Sequence, residues 1–271
     1  MDAAATRPLV SVVIVVKNGE ARLARQLAAL DAQVGAPPFE VVIADNGSRD
    51  GTREIAHSWA RSALRAPARA VLVDAGARPG IPYARNQGVL ASSGEVIAFC
   101  DADDVVAVTW VAALAGAVRG PGLVGGRKDA VTESGRPRPD VAPAGLTQTL
   151  HLPFAATCNL AVTRECFFAV GGFDESLPPY GFEDVDFCWR AQEAGYPLDY
   201  AQDAAITFTV SSKVRAVRKE YLLAKARMAI VHRHPDFDRA PYSLGYCIRD
   251  LARTAARLPG RMVRPTAART R

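Results

Sequence analysis

Long apolar runs are missing: nowhere in the 271 residues do 18 or more apolar residues follow one another, so no segment reads as a membrane-spanning helix. Met1 to Arg7 carries an acid at position 2 and no extended apolar core, and Val10 to Val16 patterns as a strand, so no secretory leader is expected. Cysteine is sparse and shows no pairing pattern. The five present (Cys100, Cys158, Cys166, Cys188 and Cys247) are odd in number and scattered, mostly among apolar neighbours. For them, buried reduced thiols in the cytoplasm are a better fit than a disulfide frame or a zinc site. No internal repeat occurs. The basic C-terminal region lacks the interleaved aromatics of a stacking platform, so nucleic acid is not expected as a partner.

What is present suffices for a core. With 49% of residues hydrophobic, the chain can build one large α/β domain or two small ones. Charge is divided unevenly. Residues 213–271 hold 15 Lys and Arg against 4 Asp and Glu, so this tail is net +11 and the first 212 residues are net −6. A mildly acidic body with a basic tail points to an anionic partner for the tail.

Leu9 to Val16 is rich in β-branched residues and reads as a buried strand, followed by a helix from Arg22 to Leu30 with Leu23, Leu27 and Leu30 on one side. Phe39 to Ala44 is a second strand, stopped by the turn formers Asp45-Asn-Gly-Ser-Arg-Asp-Gly-Thr52, after which a helix passes through Ile55 and Trp59. Ala70 to Asp74 is a third strand, Pro82 to Ala91 a helix, Glu95 to Cys100 a fourth strand and Val106 to Val118 a helix of small residues. Beyond Leu123-Val-Gly-Gly126 the pattern weakens, and Lys128 to Pro143 reads as a loop or hairpin. Phe154 to Val162 is a further strand, Arg164 to Val170 a short helix ended by Gly171-Gly172, and Glu183 opens a helix with acids in its first turn. Strands alternating with helices imply a mostly parallel, Rossmann-like α/β sheet flanked by helices, with ligands bound beyond the carboxyl ends of the strands.

Asp101, Asp103 and Asp104 crowd one such strand end. In extended backbone Asp101 and Asp103 share a face and converge. Like charges at the mouth of a buried strand are costly unless a cation lies between them, and oxygen ligands suit Mg2+ or Mn2+. A solvated acidic loop is the bland alternative.

Several motifs in order resemble the family 2 inverting glycosyltransferases of GT-A fold. They are Val10-Ser-Val-Val-Ile-Val-Val-Lys-Asn18, Val42-Ile-Ala-Asp45-Asn-Gly-Ser-Arg-Asp-Gly-Thr52, Ala84-Arg85-Asn86-Gln-Gly88, Gly94 to Asp104 with Asp101-Ala-Asp103, and Gly171-Gly-Phe-Asp-Glu175 with Gly181-Phe-Glu183-Asp184. The resemblance covers roughly residues 9–210. It implies a GT-A domain over 1–212, with a nucleotide-sugar half (8–126) and an acceptor and catalytic-base half (127–212), and leaves 213–271 as a basic helical extension.

The resemblance also assigns roles. Val15, Val16, Lys17 and Asn18 would line the base pocket, Asp45 would bond the base with Asn46 beside it, and Arg85 and Asn86 would lie near the nucleotide. A helix-start pair is the other reading of those last two. Asp101 and Ala102 would touch the ribose or the metal shell, Asp103 with Asp101 would hold Mn2+ or Mg2+, and Asp184 would be the catalytic base with Glu183 raising its pKa. A nucleoside diphosphate leaving group (UDP, GDP or dTDP) needs its developing charge neutralised, and an acceptor hydroxyl needs a carboxylate as it attacks. Single displacement with one base inverts the anomeric centre.

Members of this family often place a further metal-ligating His after the base helix. Here Ala205-Ile-Thr-Phe-Thr-Val-Ser-Ser212 has none, so either Asp103 and the diphosphate alone hold the metal, with weaker affinity, or Thr207 or Thr209 lies nearby; lost activity is the lesser reading. The expected activity is metal-dependent transfer of a sugar to a hydroxyl on a cell-surface glycan, a lipid-linked intermediate or a secondary metabolite. The non-enzyme alternative is a nucleotide-sugar-binding or scaffold subunit. A nucleotidyltransferase is disfavoured because Val16 to Arg22 holds a single glycine where a Gly-rich loop is needed.

In the tail, Leu244, Ile248, Leu251, Ala255 and Leu258 share one helical face and Arg249, Arg253 and Arg257 the other. Such a helix suits an anionic membrane, placing a cytoplasmic enzyme on the inner face of the bilayer, or packs on its own domain or a second subunit as a homodimer. Residues 261–271 are expected to lack fixed structure.

Overall fold

The computed structural model describes residues 9–62, 64–132, 134–142, 144–179, 181–210, 217–234 and 244–257. In chain order the elements are β1 (Val10–Val16), α1 (Leu23–Asp31), β2 (Phe39–Asp45), α2 (Thr52–Ala60), β3 (Arg69–Asp74), α3 (Ile81–Leu90), β4 (Val96–Asp101) and β5 (Val105–Val106). They continue with α4 (Trp110–Ala117), β6 (Leu123–Val131), β7 (Asn159–Thr163), α5 (Arg164–Ala169), α6 (Glu183–Glu193), β8 (Leu198–Thr209), α7 (Val217–Arg233) and α8 (Leu244–Arg257).

The strands join one sheet in the order β3-β2-β1-β4-β7-β6-β8-β5. The expected parallel arrangement holds for β3-β2-β1-β4, while β7 enters antiparallel between β4 and β6 and β5 runs antiparallel on β8, so the whole sheet is mixed. Alternation along β1 explains its two-sided burial. Val10, Val12, Ile14 and Val16 face a core shared with Leu23, Leu27 and Leu30 of α1 and Trp110 and Leu114 of α4. Val13 faces the other core, with Val89 of α3, Phe167 of α5 and Phe187 of α6. A strand buried on both faces reads as an unbroken apolar run, which is why β1, β2 and β4 are legible to within a residue, and the half-buried edge strand β3 is legible from its β-branched and apolar run as well.

The second half departs from expectation in three places. β6 runs on through Lys128 and Asp129, where a loop or hairpin is expected, because β8 pairs it as far as Val131; β7 pairs only Leu123 to Gly125. The turn that follows is a hairpin closed by a bridge from Val131 to Pro137. The expected strand from Phe154 begins only at Asn159, with Phe154 making a single bridge to Thr147. The helix expected from Val106 starts at Trp110, and Val105-Val106 instead pairs with Thr207 and Ile206 of β8. A register shift between Gly126 and Arg127 falls where the two halves of the domain were divided, although β6 itself crosses that line. Residues 213–216, at the start of the expected basic helical extension, 235–243 within it and the 258–271 end, including Leu258, lie outside the described residues, as do Met1 to Pro8. No described helix is long and apolar enough to cross a membrane. The four cysteines with described side chains are buried and free.

Candidate active site

Parallel register brings the carboxyl ends of three strands to one edge. Val16 lies opposite Asp45 and Val15 opposite Asp101. A cleft of about 750 Å3 opens beyond them, lined by Val15, Val16, Lys17, Asn18, Asn46, Arg85, Asp101, Ala102 and Asp103. An adjoining cleft of about 630 Å3 shares Lys17, Asn18, Asn46 and Pro79 and continues over the Asp45 turn to Arg49 and Arg53. A further cleft of about 540 Å3 sits at the opposite, amino ends of the strands by Leu9 and Val96, which is not where sheets of this kind bind ligands. Asn18, at the rim of the first cleft, has φ 53°, a left-handed conformation that Asn tolerates better than most residues.

Three of the expected donor residues spend their polar atoms on the chain itself. Asp45 is 1% exposed, accepts the Ser48 N–H at 3.1 Å and is ion-paired with Arg53, which also reaches Asp74 at 3.0 Å. Asn46 spends its amide on the chain: Nδ2 donates to the carbonyls of Ala75 (2.7 Å) and Arg78 (2.8 Å), and Oδ1 accepts the Gly80 N–H. Asn86 likewise clamps the loop after α5, donating to Phe173 O and Glu175 Oε1, both at 2.9 Å, and accepting the Phe173 N–H at 3.0 Å. These three hold the walls of the site.

Arg85 is the hub. Only 5% of its side chain is exposed; Nη1 donates to Glu183 Oε1 at 2.8 Å and Nη2 to Asp101 Oδ1 at 3.4 Å, with the guanidinium over the Phe173 ring. One cation thus ties the end of β4 to the start of α6. Burial alone would depress its pKa, but Glu183 and Asp101 raise it and keep it charged. The other oxygen of Glu183 accepts the Gly181 N–H at 2.9 Å, so both are engaged. Phe182, just before it, has φ 66°, a strained conformation for a bulky residue of the kind found at functional sites. Asp184 follows with its carboxylate accepting only the Val185 N–H at 2.9 Å among the hydrogen bonds described. Burial first, then the charge of Glu183, pushes its pKa up to about 7.

The acidic strand end divides into a rim and a floor. Asp103 is half exposed and paired with Arg22 Nη1 at 3.0 Å across the mouth of the cleft. Asp104 lies beneath, 3% exposed, with Oδ2 buried and lacking a partner among the described residues. Burial, then Asp101 and Asp103, pushes its pKa up to about 8. Donor atoms of Asp101, Asp104 and Cys158 lie within 4.8 Å of one another. Burial holds the Cys158 thiol well above its usual pKa and so protonated, which leaves carboxylate oxygens as the donor set. An orphaned carboxylate oxygen amid three acids fits a hard divalent cation such as Mg2+ or Mn2+. At the position of the missing His, the backbone of Thr209 hydrogen-bonds Asp104.

Sequence reading missed three cations. Arg22 closes the mouth over Asp103, Arg53 neutralises Asp45, and the charge of Lys128 on β6 lowers the pKa of both Asp104 and Asp184. No local pattern marks them, since each meets its partner only through tertiary packing.

The family model described as glycosyl transferase family 2 matches residues 11–173, and the N-terminal domain of galactosyltransferase matches residues 144–211. Among curated proteins, the chain is 28% identical over 233 residues to glycosyltransferase AglE of Haloferax volcanii, covering 83% of this chain and 75% of that protein. It is 30% identical to validoxylamine A glucosyltransferase of Streptomyces hygroscopicus subsp. limoneus over 73% of this chain, spanning about half (51%) of that relative. Among solved structures, the mannosyltransferase PcManGT of Pyrobaculum calidifontis, in complex with GDP-Man and Mn2+, superposes with a TM-score of 0.63 at 21% identity, covering 93% of this chain and 74% of that one.

Proposed function

The chain belongs to glycosyl transferase family 2 and has the GT-A fold, and from that premise we propose that it is a divalent-metal-dependent, inverting transferase moving a sugar from a nucleoside diphosphate donor (UDP, GDP or dTDP) to a hydroxyl acceptor. The observation that carries this reading is the Arg85 bridge, which ties Asp101 in the wall of the 750 Å3 cleft to the buried Glu183, with Asp184 next in line. A donor enters over Val15 to Asn18, with its base toward the Asp45 turn and its diphosphate at Asp101. Asp101 and Asp103 would hold the cation, with the orphaned oxygen of Asp104 behind them. The bound Mn2+ or Mg2+ supplies charge neutralisation for the departing diphosphate.

Asp184 accepts the proton of the acceptor hydroxyl as its oxygen attacks the anomeric carbon, the nucleoside diphosphate leaves from the opposite face, and the configuration inverts. Glu183 and Arg85 position it, with one oxygen of Glu183 held by Arg85 and the other by the Gly181 N–H. The acceptor meets the wall built by β6, the 144–182 loops and α7, and the exposed stripe of α8 seats the enzyme on an anionic membrane surface.

The first test is a thermal-shift panel of UDP, GDP, dTDP and their sugar conjugates with Mn2+, Mg2+ or chelator, because a ligand that binds the native state raises the melting temperature by mass action. Stabilisation by one nucleotide, strengthened by Mn2+, names the donor; the anomeric configuration of the product by NMR then tests inversion. No shift with any nucleotide favours a scaffold subunit instead.

A further inference from the structure

The far end of α6 holds a second set of metal-type donors, from three separate segments. Glu193 Oε1 lies 2.9 Å from His151 Nε2 and 2.9 Å from His234 Nδ1, and the three donor atoms all fall within 4.8 Å of one another. The other nitrogen of His234 lies 3.4 Å from Asp186 Oδ1, while Asp186 Oδ2 accepts Arg190 Nε at 2.8 Å. Both imidazoles stand edge-on to Trp189, at 4.9 and 5.1 Å between ring centroids. Nine residues of α-helix, about 13 Å, separate Glu193 from Asp184, so this group is distinct from the carboxylate cleft.

We infer that His151, Glu193 and His234 form a site for a divalent transition metal of the zinc class, which pins α7 and the loop carrying His151 onto the helix that bears Asp184. Two imidazole nitrogens and one carboxylate oxygen form a donor set that suits Zn2+ or Co2+ and is poorly matched to Mg2+. A carboxylate behind a ligating imidazole, as Asp186 stands behind His234, fixes ring orientation and tautomer in such sites. Metal–ligand distances near 2.0–2.2 Å in a tetrahedron put donor atoms about 3.3 Å apart. The two 2.9 Å separations therefore need open by only a few tenths of an ångström. His151 and Glu193, 19% and 39% exposed, have room to give, whereas His234 at 2% and Trp189 are held in the core. The exposed side also leaves the fourth position to water.

The proposal deepens the picture of the catalytic domain but does not depend on the activity, and its test reads metal directly. Full-length protein stripped by chelator is titrated with Co2+, followed by visible absorption, and dialysed against Zn2+ for metal analysis. Wild type, His151→Ala, Glu193→Gln and Asp103→Ala are compared, with circular dichroism to check that each is folded. The site predicts one bound Co2+ with the intense bands of a nitrogen-ligated, low-coordinate ion, unaffected in Asp103→Ala. His151→Ala weakens it more than about tenfold, and so does Glu193→Gln, which keeps an acceptor oxygen but loses the charge. Zn2+ raises the melting temperature of wild type and not of His151→Ala. Equal uptake by wild type and His151→Ala, or loss of all uptake in Asp103→Ala alone, would overturn the site and leave a hydrogen-bonded cluster only.

Discussion

Asp184 is pulled in two directions: burial and Glu183 disfavour its charge, while Arg85, Lys128 and the Val185 N–H favour it. The first pair wins and pushes the pKa up to about 7. A general base must be ionised, so kcat/KM should rise as pH increases through about 7 and fall below it with a slope of one. An acid limb at the ordinary carboxylate position, near pH 4, would remove Asp184 from the role. In Glu183→Gln the neighbouring negative charge is gone and Arg85 is less neutralised, and both changes favour the ionised base. The limb should therefore move to lower pH, a displacement that a merely structural Glu183 would not produce. Asp184→Asn should keep donor binding, measured by calorimetry, and lower kcat by about 10²–10⁴-fold, the usual size of a general-base contribution; unchanged turnover would refute the assignment. Sequence motifs marked Asp184 and Arg85 without revealing that one is tuned through the other, because the Arg85–Glu183 contact spans 98 positions.

Among the elements, β6 shows why the second half was less legible. A strand with two glycines and the triplet Arg127-Lys-Asp129 contradicts every local strand signal, and it forms because neighbours demand it. Asn159, buried in β7, donates to the carbonyls of Arg127 and Ala204 at 2.8 Å each and accepts from Trp110 Nε1, stapling three strands at the bulge. Gly126 is the space left for it. A Cβ there would lie 2.4 Å from the Ala204 carbonyl and 2.4 Å from the Asn159 amide, and the carbonyl is backbone that cannot swing aside. Gly126→Ala should therefore destabilise the domain by about 1–3 kcal/mol, lowering the thermal midpoint by several degrees. An unchanged midpoint would mean that the bulge relaxes freely. Gly88 plays the same part in α3, where a Cβ would meet Val13 Cγ1 at 2.5 Å. Here the glycine of the Ala84-Arg85-Asn86-Gln-Gly88 motif was legible as a signature, but its reason, close approach of α3 to β1, is visible only in three dimensions.

At the scale of the whole molecule, the acidic body and basic tail give the protein a direction. α8 packs on α7, where Arg227 lies over Tyr246 at 5.8 Å, and leaves Leu244 and Ile248, one helical turn apart, 62% and 57% exposed with Leu251 beyond them. At Leu244, Ile248 and Leu251 the described parts of the chain leave the stripe uncovered; the side chain of Ala255 and all of Leu258 lie outside the described residues. Arg249 and Arg253 are exposed as well, on the face turned away from the stripe, so the helix is amphipathic, with apolar side chains on one side and cations on the other. Such a surface complements an anionic bilayer, to which each nearby cation contributes about 1 kcal/mol, better than a second copy carrying the same positive charge. Full-length protein should therefore co-sediment with vesicles rich in phosphatidylglycerol and not with neutral phosphatidylcholine, and added salt should weaken the binding. Ile248→Glu should abolish it while leaving donor binding in solution intact, since the stripe is separate from the cleft. If vesicles fail to bind and Ile248→Glu instead converts a dimer to a monomer in sedimentation, the stripe belongs to a second copy. Retained vesicle binding by Ile248→Glu would assign the attraction to charge alone and free the apolar face from that task.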